Sequence, residues 1–401
     1  MSDLPQDVVD EILSCVPATS LKQLRSTCKH WNALQKDQRF TKKHFGKASK
    51  QFLVFMLHEE KFFSLSFNLH DIDNNVDDPF ILFKVEHGLT QKIKQVLSHC
   101  DGLLLCSTKK DKVVVCNPCT GETKLIRPCT VYEECFVYAL GYEDNKSFRN
   151  YKILRYQITY PLVQLEIYDF TSGTWRVLEV NEPSIVNPYG VSWKGNSYWL
   201  VWELDSYLLS FDFTTESFGH LCLPFKDKKY AIALSIVREE KLSVLNQRTG
   251  SLKIDVWVAT SDKIDGNIVL SWERFLVVDN VDFYGCCPFS SCVSFYVDEE
   301  KKLVVLCCDS RRIYGAMTKV QDMVLVIGEC GVYREIRFGE SVQKLGQGVM
   351  FNYAPSLVRI HQESILMPSL GKRKARNLSI KATIESWLML LAQKNNQWTV
   401  G

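Results

Sequence analysis

Three times in this chain an apolar strand ends on an Asn or Asp and passes through a Thr/Ser/Gly turn into a return strand. Val113-Val114-Val115-Cys116-Asn117-Pro118 leads into Thr120-Gly121-Glu122. Leu165-Glu166-Ile167-Tyr168-Asp169-Phe170 leads into Thr171-Ser172-Gly173-Thr174-Trp175, and Leu208-Leu209-Ser210-Phe211-Asp212-Phe213 into Thr214-Thr215-Glu216-Ser217-Phe218. Asx, Ser and Thr side chains suit such turns because they hydrogen-bond nearby backbone, and Gly tolerates left-handed angles. The three Asn/Asp positions stand 52 and 43 residues apart. A weaker echo follows in Lys253-Ile254-Asp255-Val256-Trp257, with Trp272-Glu273-Arg274-Phe275 downstream. Between the units lie other strand pairs. Val191 to Leu200 reads as a hairpin with Gly195-Asn196 in its turn, and Phe295–Asp298 and Leu303–Leu306 flank the charged turn Glu299–Lys302. Self-similarity at this period, with several strands per unit, predicts propeller-like blades. The irregular spacing leaves the blade number open and keeps an irregular β-sandwich as the competitor.

The amino end breaks this pattern. Pro5 suits a helix start, where its missing N–H has no partner to lose. Val8, Val9, Ile12, Leu13 and Val16 then form one broad apolar stripe, and Asp7, Asp10 and Glu11 favour the early turns of a helix. Pro17 ends that helix. Thr19 or Ser20 is placed to cap a second, with Leu21, Leu24 and Cys28 on its apolar face. A third short segment carries Trp31 and Leu34, and Asp37 is placed to cap a fourth with Phe40 and Phe45. Helices of about ten residues make a poor core by themselves. Leu4, Pro5 and Ile12 therefore face either the chain's own body or a partner. The expected fold class is mainly β with a small all-α N-terminal headpiece.

Composition narrows the function classes. Apolar residues make up 46% and aromatics 12%, an ordinary globular composition. No run approaches the eighteen apolar residues of a membrane span, and the acidic amino end is unlike a secretion signal. Fifteen scattered cysteines are then expected to be reduced, small apolar groups in the cytoplasm or nucleus. The net charge of +2 is uneven: residues 1–50 hold nine Lys/Arg against five Asp/Glu, and residues 351–401 hold seven against two. An acidic body with basic ends does not suggest a nucleic-acid groove.

Taken in order, Leu4-Pro5-x-Asp7, Glu11-Ile12-Leu13, Val16-Pro17, Ser20-Leu21, Leu24-Arg25, Cys28-Lys29-x-Trp31-x-x-Leu34 and Asp37-x-x-Phe40 closely resemble an F-box, here expected as three helices. The resemblance implies docking onto a Skp-type adaptor and, through it, cullin and RING subunits of a ubiquitin ligase. Carried over position by position, Leu4, Pro5, Val8, Ile12, Leu13, Leu21, Leu24, Cys28 and Trp31 are the adaptor-binding or headpiece-core set. The body is similar to the F-box-associated interaction domain of the large plant F-box family. That likeness rests on Cys100-Asp101-Gly102-Leu103-Leu104-Leu105, Asn117-Pro118-x-Thr120-Gly121, Tyr138-Ala139-Leu140-Gly141-Tyr142 and Gly190 to Trp199. It continues through Leu209 to Phe218, Leu221-x-Leu223-Pro224 and Ala354-Pro355-Ser356-Leu357-Val358, the last matching that domain's closing strand. It implies a β-rich, kelch-like module that recruits an unnamed protein client. The expected organisation is 1–45 F-box, 46–94 connecting segment and first strands, 95–360 client-recruiting domain, and 361–401 basic tail.

Other chemistry is weak. Cys116-x-x-Cys119 is half a zinc site with no second half, and no thioredoxin-like pattern surrounds it. His99 and Cys100 are adjacent on a strand and point to opposite faces. No nucleophile elbow or phosphate loop appears. Trp175, Trp193, Trp199, Trp202, Trp257 and Trp272 are expected in core or inter-blade packing. Lys372-Arg373-Lys374-Ala375-Arg376 reads as a solvated linker or a nuclear localisation signal, and Ile380, Ile384, Trp387, Leu388 and Leu391 have helical spacing. The chain is thus expected to be a non-catalytic adaptor without metal or cofactor. The alternative is a propeller that binds a ligand or cleaves a glycoside, capped by its helices.

Overall fold

The computed structural model describes residues 5–24, 29–48, 51–58, 61–67, 80–84, 92–110, 112–127, 136–145, 148–159, 162–179, 189–201, 207–225, 230–238, 240–248, 253–264, 267–279, 294–314, 317–329, 331–341 and 349–360. All lie in one compact unit, Met1–His361. The expected tail features beyond it, from Lys372 to Leu391, fall outside the described residues, as do Leu4, Cys28 and Trp202.

Four helices open the chain, three in the expected F-box core and a fourth that is the segment Asp37 was placed to cap: α1 (Gln6–Cys15), α2 (Ala18–Leu24), α3 (Lys29–Leu34) and α4 (Gln38–Lys47). Asp37 caps α4, its carboxylate accepting from the backbone N–H of Arg39 at 2.8 Å and Phe40 at 2.9 Å. Val16, just before Pro17, is extended at φ −76°, ψ 136°, and ends α1. The next helix starts at once. The Leu21 N–H bonds the Pro17 carbonyl at 3.0 Å, so Thr19 and Ser20 lie inside α2 and do not cap it.

The strands form six antiparallel, four-stranded blades. Strands β1 (Leu53–His58), β2 (Lys61–Phe67) and β3 (Phe80–Lys84) come first in the chain but belong to the sixth blade. The first blade is β4 (Ile93–Cys100), β5 (Leu103–Thr108), β6 (Val113–Cys116) and β7 (Thr123–Ile126). The second is β8 (Phe136–Asn145), β9 (Phe148–Thr159), β10 (Leu162–Asp169) and β11 (Thr174–Leu178). The third is β12 (Val191–Trp193), β13 (Asn196–Val201), β14 (Tyr207–Asp212) and β15 (Ser217–Leu221). The fourth is β16 (Tyr230–Val237), β17 (Lys241–Arg248), β18 (Ile254–Ile264) and β19 (Asn267–Val278). The fifth is β20 (Ser294–Asp298), β21 (Leu303–Tyr314), β22 (Met317–Gly328) and β23 (Gly331–Ser341). Finally β24 (Val349–Tyr353) pairs with β1, from Leu53↔Tyr353 to Leu57↔Val349, and closes the ring. The architecture is a six-bladed propeller, not a sandwich.

The repeated Asn/Asp turns join the third and fourth strands of blades one to three. The side-chain oxygen of Asn117 accepts from Cys119 and Thr120, that of Asp169 from Thr171 and Ser172, and that of Asp212 from Thr214 and Thr215. The weaker echo differs: Asp255 sits within the β18 ladder opposite Val277, not in a turn. Blades lie face to face, so the inner strands bury both sides. Val113 and Val115 pack toward the second blade with Leu140 and Ile153, while Val114 and Cys116 pack toward the sixth with Phe55 and Tyr353. This is why the apolar run Val113–Cys116 is buried throughout. Trp193 and Trp199 are buried between blades, and Trp175, Trp257 and Trp272 are partly buried against neighbouring cores.

Two tight turns depend on glycine. Asp101-Gly102 (φ 52° and 77°) joins β4 to β5, and Lys194-Gly195 (φ 50° and 85°) joins β12 to β13. Both residues of each turn have positive φ, as two-residue hairpins of this hand require. The second turn is Lys194-Gly195 rather than Gly195-Asn196, because Asn196 already pairs with Trp193. A Cβ on Gly195 would fall 2.5 Å from the Tyr142 ring.

A polar latch joins blades two and three. Buried Lys152 on β9 bonds Glu143 and Glu216 at 2.8 Å each and the Phe213 carbonyl at 3.2 Å. Glu216 belongs to the Asp212 turn of the third blade and also pairs with Arg176. Burial pushes its carboxyl upward, but Arg176 and Lys152 more than offset this and hold it below the usual carboxylate range.

Because strand direction alternates, first-to-second and third-to-fourth turns share one face of the ring. The helices sit on that face. They touch the Asn117–Glu122 turn and residues 354–360, which follow β24. Ala354–Val358 was expected as a closing strand and is not one: β24 ends at Tyr353. Pro355 offers no N–H, and the carbonyls of Ser356 and Val358 accept from the Asn117 side chain instead of a ladder.

Candidate functional site

The residues expected to meet an adaptor divide between two rows of α1. Val9 and Leu13, four apart, face inward and are 8% and 4% exposed. Val8 and Ile12, the adjacent row, face outward at 39% and 43%. Pro5 is exposed at the start of the same helix. Leu21 is 1% exposed and belongs to the headpiece core, with Leu24 and Trp31 half-buried against it. Pro5, Val8 and Ile12 thus form an apolar strip open to solvent, whereas Leu13 and Leu21 hold the headpiece together. Leu4 and Cys28 lie outside the described residues.

Helix α4 is tied to the helix that carries the strip. Glu11 on α1 pairs with Lys43 and Lys47 of α4, and these two ammonium groups lower its carboxyl to about 2. Buried His44 donates from Nε2 to the Val16 carbonyl at 2.7 Å, tying α4 to the end of α1. Two other large apolar side chains are exposed among the described residues, Leu125 on β7 and Val177 on β11. They stand on different blades and need no partner.

Where the innermost strands converge under α4, a cavity of about 130 Å³ is lined by Phe45, His99, Asp101, Tyr142, Arg149, Ser192 and Asn352, among others. Asp101 is the one carboxylate among its described lining residues. It is engaged by Arg149 at 2.6 Å and by the Tyr151 hydroxyl at 2.8 Å. The Arg149 guanidinium lies 4.3 Å from the ring centres of both Phe45 and Tyr142, clasped between helix and propeller. A glycosidase needs two carboxyl groups about 5 to 10 Å apart, a pair that this lining does not supply. The Cys-x-x-Cys thiols face different cores: Cys116 packs with Phe55 and Leu104, Cys119 with Leu13 and Leu21 of the headpiece.

His99 stacks on Phe351 with ring centres 4.9 Å apart, and burial lowers its pKa from 6.5 to about 4. Above pH 6.5 it is neutral folded and unfolded alike. As pH falls from 6.5 toward 4 the unfolded chain takes up a proton that the folded one refuses, so stability is lost across that window. Burial also lowers His44, which acts in the same direction. Thermal melts between pH 7 and 4 are expected to show a falling midpoint, with a shallower fall in His99→Phe. An equal slope in both proteins would refute the assignment.

Sequence reasoning did not foresee Arg149, Cys119 or Leu357 at the headpiece. Nothing in local periodicity links them to it; Pro355 within a supposed strand was the one local sign.

Comparison with known proteins agrees with this geometry. The F-box domain matches residues 1–43, and the F-box associated beta propeller domain matches residues 53–360. A putative F-box protein of Arabidopsis thaliana is 44% identical over 386 residues, covering 94% of this chain and 99% of the relative. An F-box/LRR-repeat/kelch-repeat protein of the same plant is 42% identical over 370 residues, covering 90% and 98%. The chain belongs to the F-box proteins, with an F-box of four short helices carried on an F-box associated beta propeller domain.

Proposed function

We propose that this chain is the substrate-recognition subunit of a Skp–cullin–F-box type ubiquitin ligase. The observation that carries the reading is the solvent-open apolar row Val8–Ile12 beside Pro5, on a helix whose neighbouring Val9–Leu13 row is already buried in the headpiece core. An apolar strip left open beside the row that α1 already buries fits the apolar groove of another polypeptide. A Skp-type adaptor would cover it and bring the cullin and RING subunits. Ubiquitin chemistry then belongs to those subunits and the conjugating enzyme, and the chain itself acts without catalysis, in cytoplasm or nucleus. The headpiece occupies one face of the ring. The opposite face, with the second-to-third hairpins and the connections between blades, is left for a protein client.

Titration of the purified full-length chain with a Skp-type adaptor is expected to give a one-to-one complex in the sub-micromolar range, on the order of −8 kcal/mol or tighter. Absence of binding at tens of micromolar would remove this reading.

A further inference from the structure

The headpiece does not complete its own core. Its buried cluster of Val9, Leu13, Ala18, Leu21 and Phe40 is joined by two propeller residues, Cys119 and Leu357, at 5% and 4% exposure. Polar contacts follow the same seam. The Cys119 thiol points to the Ala18 carbonyl at 3.6 Å, the Lys22 ammonium to the Pro118 carbonyl at 3.2 Å, and the Arg359 guanidinium to the Lys36 carbonyl at 3.1 Å.

Leu357 in turn has its place only in the closed ring. Its segment leaves β24, whose Tyr353 pairs with Leu53. The Asn117 amide then donates to the Ser356 carbonyl at 3.1 Å and to the Val358 carbonyl at 2.8 Å. The Glu122 carboxylate accepts from Arg359 Nε at 3.0 Å and the Ile360 N–H at 2.9 Å. Residues 354–360 therefore form a strap between the first blade and the helices.

We infer that Leu357, set in this strap, is a positioning residue for adaptor binding, so that closure of the propeller sets the affinity of a motif some 340 residues away. The inference rests on the adaptor reading above. A helical unit this small is marginal without outside packing. If only a fraction of headpieces is folded, apparent affinity falls by that fraction. The strap raises the fraction through Val9 and Leu13, the buried row beside the exposed Val8–Ile12 row.

The test uses the full-length chain with Leu357→Ala and Leu357→Met. Adaptor affinity is measured by calorimetry, and amide hydrogen exchange is followed in α1, α4, β5 and β9. Leu357→Ala is expected to weaken adaptor binding tenfold or more and to speed exchange in α1 and α4, while β5 and β9 keep their protection. Leu357→Met, which refills the space, is expected to bind within threefold of the parent. Unchanged affinity with unchanged headpiece exchange in Leu357→Ala would overturn the inference. Loss of protection in the blades as well would overturn it too, since Leu357 would then hold the ring. If the parent chain binds no adaptor, the functional reading fails, and the exchange data still decide whether the strap holds the helices.

Discussion

Val8→Asp with Ile12→Asp is expected to abolish capture of a Skp-type adaptor while leaving thermal unfolding unchanged. The two positions are 39% and 43% exposed in the free chain, so little folding energy is at stake. Exposed substitutions of this kind usually fall within about 0.5 kcal/mol. Val8 lies in the first turn of α1, where negative charge favours the helix dipole. In a complex the same carboxylates would have to be desolvated against an apolar surface, and anchors of this type cost about 2 kcal/mol or more each. The sum is a loss of roughly a thousandfold in affinity. Calorimetry with purified adaptor reads the binding, and a melt reads the fold. Undiminished binding would place the adaptor contact elsewhere; a lower melting midpoint would mean that the row is structural.

Lys152→Ala is expected to be the most damaging single change within the propeller. Lys152 is 5% exposed and neutralises Glu143 and Glu216 from two different blades. Burial alone would lower its pKa, but the two carboxylates raise it, so the ammonium is charged at any working pH. Removing it leaves two partly buried negative groups facing each other, with the Phe213 carbonyl deprived of its donor. Deleting one partner of such a pair costs about 3 to 5 kcal/mol. A urea midpoint reads the loss. Adding Glu216→Gln to Lys152→Ala is expected to recover part of it, because the repulsion between Glu143 and Glu216 is gone, while the loss of the Arg176 ion pair keeps the recovery incomplete. A midpoint shift below about 1 kcal/mol equivalent would show that solvent screens the site.

How much of this was legible in the sequence depends on how locally each feature is determined. The Asn117, Asp169 and Asp212 turns are closed by hydrogen bonds two and three residues on, so their signal is local and was readable. The fourth blade uses strands of 11 and 12 residues, with Asp255 inside a ladder, and the repeat faded there. The number of blades follows from the pairing of Leu53 with Tyr353, which leaves no short-range trace. The F-box stretch was recognisable as a whole, but the division of α1 into Val9–Leu13 inside and Val8–Ile12 outside was not. Five apolar positions on one helix make a stripe wider than either row, and only the arrangement of α4 beneath decides between them. Cys116-x-x-Cys119 was read as half a zinc site with no second half, yet Cys119 serves the seam with the helices.

Pairing the earliest strands of a sheet with one made almost at the end also sets a schedule for biosynthesis. At about 5 to 20 residues per second, β1 leaves the ribosome some 15 to 60 s before β24 exists. During that interval the edge meant for Val349–Tyr353 carries unsatisfied amide and carbonyl groups along Leu53–Leu57, an invitation to foreign strands. Newborn chains of this protein should therefore depend on chaperone shielding of their first hairpin until translation is nearly complete.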